Sequence, residues 1–213
     1  MDNFCLAKLS FGRELRMFMA GLTLAATACT TIPAQQEALA PVTGPIPALI
    51  TLEQSLTVES AYQAIPHQRT PFSLEKTYLD DDAAQRLHRF FELTDMAVVE
   101  RVYSLRTLHS GNISYYSSAN YEAILLALEA LDLSAELSEP KQLVIEAIQE
   151  QKAYFEAWYH SGNAGFHSYQ HSLVQSSHGK LIQAYNQIMA AYPNESNHNQ
   201  TAFFDHLCAL DFI

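Results

Sequence analysis

At 213 residues the chain holds about one domain plus accessory segments. Hydrophobic residues make up 48% and charged residues only 16%, a globular rather than a disordered composition. A formal charge of −11 argues against nucleic acid and against a basic patch that grips anionic lipid, because both need clustered lysine and arginine.

In chain order, the first segment reads as an export leader, residues 1–28. Lys8, Arg13 and Arg16 form a positive start, and Met17 to Ala28 (MFMAGLTLAATA) is an uncharged, mostly apolar run. That run is shorter than the roughly 20 residues a membrane-spanning helix needs, but it suits a signal-peptide core. Small residues Ala26, Thr27 and Ala28 stand directly before Cys29. This ending resembles the lipobox of bacterial lipoproteins, with Ala26 where leucine is usual and Leu24 two residues earlier. The resemblance implies cleavage before Cys29, lipid attachment to Cys29 as the new N-terminus, and membrane association through that lipid. Thr30 and Thr31 follow with no aspartate, which by the sorting habit of Gram-negative lipoproteins implies the outer membrane, facing the periplasm. With Cys5 removed and Cys29 acylated, Cys208 in TAFFDHLCALDFI is expected to be a small buried hydrophobe in a domain without a disulfide.

Residues 29–50 carry Pro33, Pro41, Pro45 and Pro47 and almost no charge, the composition of an extended tether. Residues 51–213 are predicted to be a helical domain. A short helix opens at Thr51 and Gln54, which have capping-box spacing, with Leu52, Leu56, Ser60 and Gln63 on one side. Pro66 and Pro71 then break the chain. A long helix runs from Asp80 to Gly111 with the stripe Leu87, Phe91, Val98, Val102, Leu105 and Leu108. The second spans Ser118 to Leu133 with Ile124, Leu125, Leu128 and Leu131 inward. A third starts at Ser138 with Pro140 in its first turn, and Val144, Ile148, Gln151, Phe155 and Trp158 form a bundle seam. Gly162 and Gly165 bracket a turn, a fourth helix extends from Phe166 to Tyr192 with a kink near Gly179, and a last one is capped by Asn197 and Gln200. It turns Phe203, Phe204, Leu207 and Leu210 inward. The expected fold is all-α, an antiparallel helical bundle of about four to six helices behind a proline-rich tether.

Nine histidines invite a metal reading. His167 and His171 are four apart and would share a helix face, a workable chelating pair. Glu156 and His160 fall opposite the apolar seam and are expected to face solvent; His178 lies two turns beyond His171, too far to share its ion. Tyr103, Tyr121, Tyr154, Tyr169, Tyr185 and Tyr192 read as core-edge packing, while Tyr115 and Tyr116 read as exposed loop aromatics able to contact a partner. Arg86, Arg89, Arg101 and Arg106, among Asp82, Glu92, Asp95 and Glu100, read as a salt-laced surface. None of the familiar catalytic signatures (GxSxG, HExxH, a CxxC pair, a phosphate-binding glycine loop) is present, and no cofactor is implied. From Ala157 to Asn194 the only formally charged residue is Lys180. A helix so poor in charge reads either as central in the bundle or as a contact surface for an envelope partner, with His171, Gln175 and His178 as candidate interface residues. The functional expectation is a non-enzymatic, lipid-anchored module that binds a protein or envelope component. The alternatives are a small-ligand or transition-metal carrier built on the histidine-rich hairpin, and a cell-wall hydrolase, which needs a cleft with a perturbed acid or nucleophile.

Overall fold

The computed structural model describes residues 56–111 and 116–212, all within one compact unit. The leader, Cys29, the tether and the Thr51/Gln54 cap lie outside the described residues, as do Tyr115 and the rest of the loop before it. Among the described residues the chain is all-helical, with six α-helices and one 3-10 turn.

The first helix, α1 (Val58–Gln63), starts from a reciprocal capping box at Thr57 and Ser60: the Ser60 N–H donates to Thr57 Oγ1 at 3.2 Å and the Thr57 N–H to Ser60 Oγ at 2.8 Å. Residues 64–79 then run without a helix. Helix α2 (Asp81–His109) begins at Asp80, whose side chain accepts the Ala83 N–H, and Gly111 ends the following turn at φ 74, a left-handed conformation that glycine adopts without Cβ strain. Both ends match the sequence expectation because each is encoded locally. Helix α3 (Ala119–Ala130) starts after Ser118 but stops before the expected Leu133.

Helix α4 (Ala135–Ser161) begins three residues earlier than Ser138 suggests, after an extended Ser134. Pro140 therefore sits inside the helix rather than in its first turn, and its ring removes one backbone donor there. Gly162 closes α4 at φ 63, and a 3-10 turn (Ala164–Phe166) follows. Helix α5 (Ser172–Ala191) starts later than expected and runs uninterrupted through Gly179. Local side chains explain the delay: Asn163 accepts the Gly165 N–H, Ser168 that of Gln170, and His171 that of Leu173. Helix α6 (Asn197–Leu210) is capped by Ser196, one residue before the expected cap, through the Asn199 N–H.

Side-chain pairs set the directions. Along α4–α5, Glu150 meets Ser176 and Glu139 meets Gln187, so the two helices are antiparallel. Helices α2 and α3 pair Glu100 with Asn120, and Arg86 reaches Asp132 just past the end of α3, again antiparallel. Helices α3 and α4 pair Glu122 with Lys152, and Lys141 reaches the Glu129 carbonyl, likewise antiparallel. Helices α5 and α6 are antiparallel through Tyr185–Phe204 and His178–Asp211, the acid sitting at the end of α6. Five long helices in alternation bring first and last together pointing the same way: Phe91–Phe203, Asp95–His206 and Arg101–Ala209 rise together along α2 and α6.

The seam Val144, Ile148, Gln151, Phe155 and Trp158 is fully buried. Trp158 stacks near Phe155 and His167, with ring centroids 6.4 and 5.2 Å away. Helix α5 buries a single face, Val174, Ser177, Leu181, Ala184 and Ile188, against α4 and α6. It has α4 and α6 as neighbours, and as the central reading expects its polar groups Ser176, Gln183 and Gln187 bond to α4 and His178 to Asp211, but its remaining side is exposed, so it is a flank helix.

Candidate functional site

The polar interior is the part of the molecule with chemistry in it, and it centres on Asp95. The predicted α2 stripe skips a turn between Phe91 and Val98, and two polar residues in that gap, Thr94 and Asp95, point inward. Asp95 Oδ1 accepts the Tyr62 hydroxyl at 2.8 Å and His206 Nδ1–H at 2.7 Å, while Oδ2 accepts Arg69 Nη2 at 2.8 Å. The Arg69 guanidinium also lies 5.7 Å from the centroid of the Tyr62 ring. Burial alone would raise the Asp95 carboxyl, but the hydrogen bonds from His206 and Arg69 and the guanidinium charge outweigh it and hold the group below the usual carboxylate range. Burial and the adjacent Asp95 charge push the Tyr62 phenol up.

A histidine oriented by an aspartate is half of a catalytic dyad. Here the outer nitrogen is occupied: His206 Nε2 accepts the Phe72 backbone N–H at 3.4 Å. The ring is a bridge between α2 and the segment 64–79, with no nitrogen left for a substrate proton. The same segment is held at further points. His67 Nε2 donates to the Asp205 carbonyl at 2.8 Å, Asn199 makes a two-way pair with the Ser73 backbone at 2.9 and 3.1 Å, and Glu195 accepts Thr77 Oγ1–H at 2.6 Å.

A second polar group lies further along α2. Glu100 accepts Asn120 Nδ2–H at 2.6 Å and the Ser104 hydroxyl at 3.3 Å, and burial lifts its carboxyl to about 7. Arg101, 1% exposed, donates to the Ala209 carbonyl at 2.8 Å, and Gln151 donates to the Leu210 carbonyl at 2.7 Å. These two side chains cap the buried end of α6, whose last carbonyls have no helical partner. The salt-laced surface is thus half right. Arg86, itself only 6% exposed, reaches out to the exposed Asp82 and Asp132, and Arg89 pairs with Glu92 at the surface. Asp95, Glu100 and Arg101 are interior because α1, α3 and α6 cross α2 at those turns.

His167 and His171 do not share a helix. His167 lies in the turn before α5, with Nδ1 2.8 Å from the Tyr154 hydroxyl, and His171 is the α5 N-cap. The ring that His167 approaches is His109 at the end of α2, with centroids 5.4 Å apart. Among the described residues no three histidine, cysteine or acidic side chains gather into a metal-ligating group. His160 is exposed and Glu156 pairs with Lys152. Of the candidate interface residues, only Gln175 is exposed; His171 is half-buried by its capping role and His178 by its bond to Asp211.

Tyr103, Tyr121 and Tyr154 are buried and Tyr185 and Tyr192 half-buried, but Tyr169 is 55% exposed. Tyr116 packs on Tyr159, with centroids 5.4 Å apart, rather than standing free. Cys208 is buried, as expected of a small apolar side chain.

No family model matches this chain, and neither a curated protein nor a solved structure matches it. No helix among the described residues is long and apolar enough to cross a membrane.

Proposed function

We propose that this chain is an exported envelope lipoprotein, anchored through Cys29, whose helical domain works by binding a protein or envelope component rather than by catalysis. The apolar run Met17–Ala28 ending at Cys29 supports the address. The observation that carries the binding role is the outer face of α5. Its exposed residues are Ser172, Gln175, Ser176, Gly179, Gln183, Asn186 and Ala190, with no formal charge among them, on a chain of net charge −11. Lys180, the one charged residue of α5, folds back onto Glu146 and Glu150 of α4. A face depleted of charge is what the core of a protein interface requires.

Two experiments test the halves separately. Glutamates at Gly179, Asn186 and Ala190 avoid every internal bond described above. They should leave the circular dichroism and melting curve intact while abolishing envelope partners in a pull-down of the lipidated protein. Retention of the same partners overturns the α5 reading. Mass spectrometry of the mature, unreduced protein should find a diacylglyceryl group on Cys29, and Cys29→Ser should leave the precursor unprocessed. A bridge between Cys29 and Cys208 overturns the anchor.

A carrier role for the histidine-rich hairpin is favoured by one observation, the close approach of His109 and His167. Stoichiometric zinc or copper retained after dialysis, and lost in His167→Ala, would put that reading ahead of the binding module.

A further inference from the structure

Between Gln63 and Ala83 only Phe72 is buried. Its ring sits in a slot made by Phe91 and Phe203, with centroids 5.9 and 6.1 Å away, and His88 lies at the rim at 6.4 Å. Apart from half-buried Leu79, which packs against the core where the segment runs into α2, what holds residues 66–79 is polar, and most of it comes from α6 and the corner before it, acting on the segment's backbone. One aromatic plug and a row of side-chain bonds attach this strap, with three histidines among them.

The tautomers follow from the partners. Asp95 is an ionised acceptor, so His206 carries its proton on Nδ1, and Nε2 is the acceptor for the Phe72 N–H. His198 Nε2 faces the Pro71 carbonyl at 3.1 Å, so it carries the proton, and Nδ1 accepts from the Lys76 ammonium at 3.3 Å. A second proton on either ring turns an acceptor into a donor pointed at another donor. His67 keeps its bond to the Asp205 carbonyl when protonated, but its charge joins the same group.

We propose that residues 66–79 are a pH-gated latch: neutral His206 and His198 hold it on α6, and their protonation frees it and uncovers the Phe91–Phe203 slot. The charges around the latch favour release. Facing His206 and His67 are Asp95 and Arg101 from α2, Tyr62 from α1, Arg69 from the strap and Asp205 from α6. His88 and Glu92 stand outside Phe72 on α2. With neutral rings, two carboxylates balance two guanidiniums. Protons on His67 and His206 leave two extra positive charges in a largely buried group, with His206 and Arg69 both drawing on the one Asp95 carboxylate. Beside His198 stands the Lys76 ammonium, and Glu195 in the corner before α6 is already occupied by Thr77 and the Tyr78 N–H. Imidazole titrates within pH 5–8, where carboxylates and ammonium groups ordinarily do not, so the latch opens while the apolar seam of the bundle is unaffected. This inference stands whether or not Cys29 carries lipid.

The test is hydrogen exchange on the full chain at about pH 7.5 and about pH 5, with times scaled for intrinsic chemistry. Protection at Phe72 and Ser73 should fall at least tenfold at the lower pH while α4 keeps its own. His206→Gln with His198→Gln, which present an oxygen that takes no proton, should hold the strap closed at both. Nitrogen-15 spectra of unsubstituted protein at neutral pH should show His206 as the Nδ1–H tautomer. Equal strap protection at both pH values, loss of strap and α4 together, or an Nε2–H tautomer of His206 overturns the latch.

Discussion

Helix α6 has two very different neighbours, and the α4–α5 hairpin beside it shows what the difference means. Helices α4 and α5 meet along Val144, Ala147, Ile148, Val174, Leu181, Ala184 and Ile188, all buried and all apolar. Hydrophobic burial of this kind is non-directional and indifferent to pH. The strap is held by one buried phenylalanine, the half-buried Leu79 at its end, and directed bonds to Asp95 of α2, to Glu195 before α6, and to His198, Asn199 and His206 of α6. Hydrogen bonds exchange for water at little net gain, yet an unmade one in the interior costs about 1–3 kcal/mol. The hairpin therefore supplies stability, while the strap supplies a contact that can be undone selectively.

The largest effect is expected at the apolar end of that comparison. Trp158 is fully buried, and Trp158→Ala should destabilise the fold by about 3–5 kcal/mol in denaturant titration followed by circular dichroism. All helices should unfold in one transition; a small change in midpoint would break the claim that the seam carries the fold.

Asp95→Asn attacks the other end. It removes the carboxylate charge and turns one of the two oxygens that accept from Tyr62, His206 and Arg69 into an NH2 donor, leaving the guanidinium without its buried counter-charge, at a cost of about 3 kcal/mol. The loss should appear first as strap exchange and only then as global unfolding. A single concerted loss would show that clasp and bundle are one cooperative unit.

Glu100 sharpens the comparison, because it is a buried acid with no cation. Burial raises its carboxyl from 4.5 to about 7, against the hydrogen bonds from Asn120 and Ser104. A raised acid holds its proton more tightly in the folded chain, so its contribution is full below about pH 4.5 and lost as pH rises through about 7. Glu100→Gln should therefore stabilise the protein at about pH 8 by about 3 kcal/mol, at 1.36 kcal/mol per pKa unit. The gain should vanish near pH 4.5. His67 runs the opposite way: burial lowers it, so its contribution is present above about pH 6.5 and lost as pH falls toward its folded value.

The smallest expected effect tests the outer side of α5. A Cβ at Gly179 meets nothing within 4 Å, so Gly179→Ala should add about 0.5–1 kcal/mol to the melting free energy. Destabilisation instead would mean that this face is already occupied.

Readings that depended on short-range chemistry transferred well to the structure. Asp80 and Gly111 bound α2, the Val144–Trp158 seam is buried, and Phe203, Leu207 and Leu210 enter the core, while Phe204 stays half-buried at the Tyr185 contact. The α6 boundary shifted where two caps competed, at Ser196 and Asn197, since either can satisfy the first N–H groups, whereas α4 starts after Ser134 without a side-chain cap bond. The Asp95 group was visible in the sequence only as a missing apolar residue between Phe91 and Val98, a signal that marks a position without naming its partners.

Composition and periodicity by themselves determined that the domain is helical and which stripe of each long helix turns inward, because a 3.6-residue period is a property of neighbouring residues alone. Tertiary structure decided the rest. Asp95, Glu100 and Arg101 share a helix with Arg86 and Arg89, and all five look alike along the chain. Three are interior and two reach out to surface acids because α1, α3 and α6 cross α2 at particular turns. A charged side chain takes its meaning from what is brought against it across more than a hundred residues, as His206 is to Asp95, and that pairing exists only once the chain has folded.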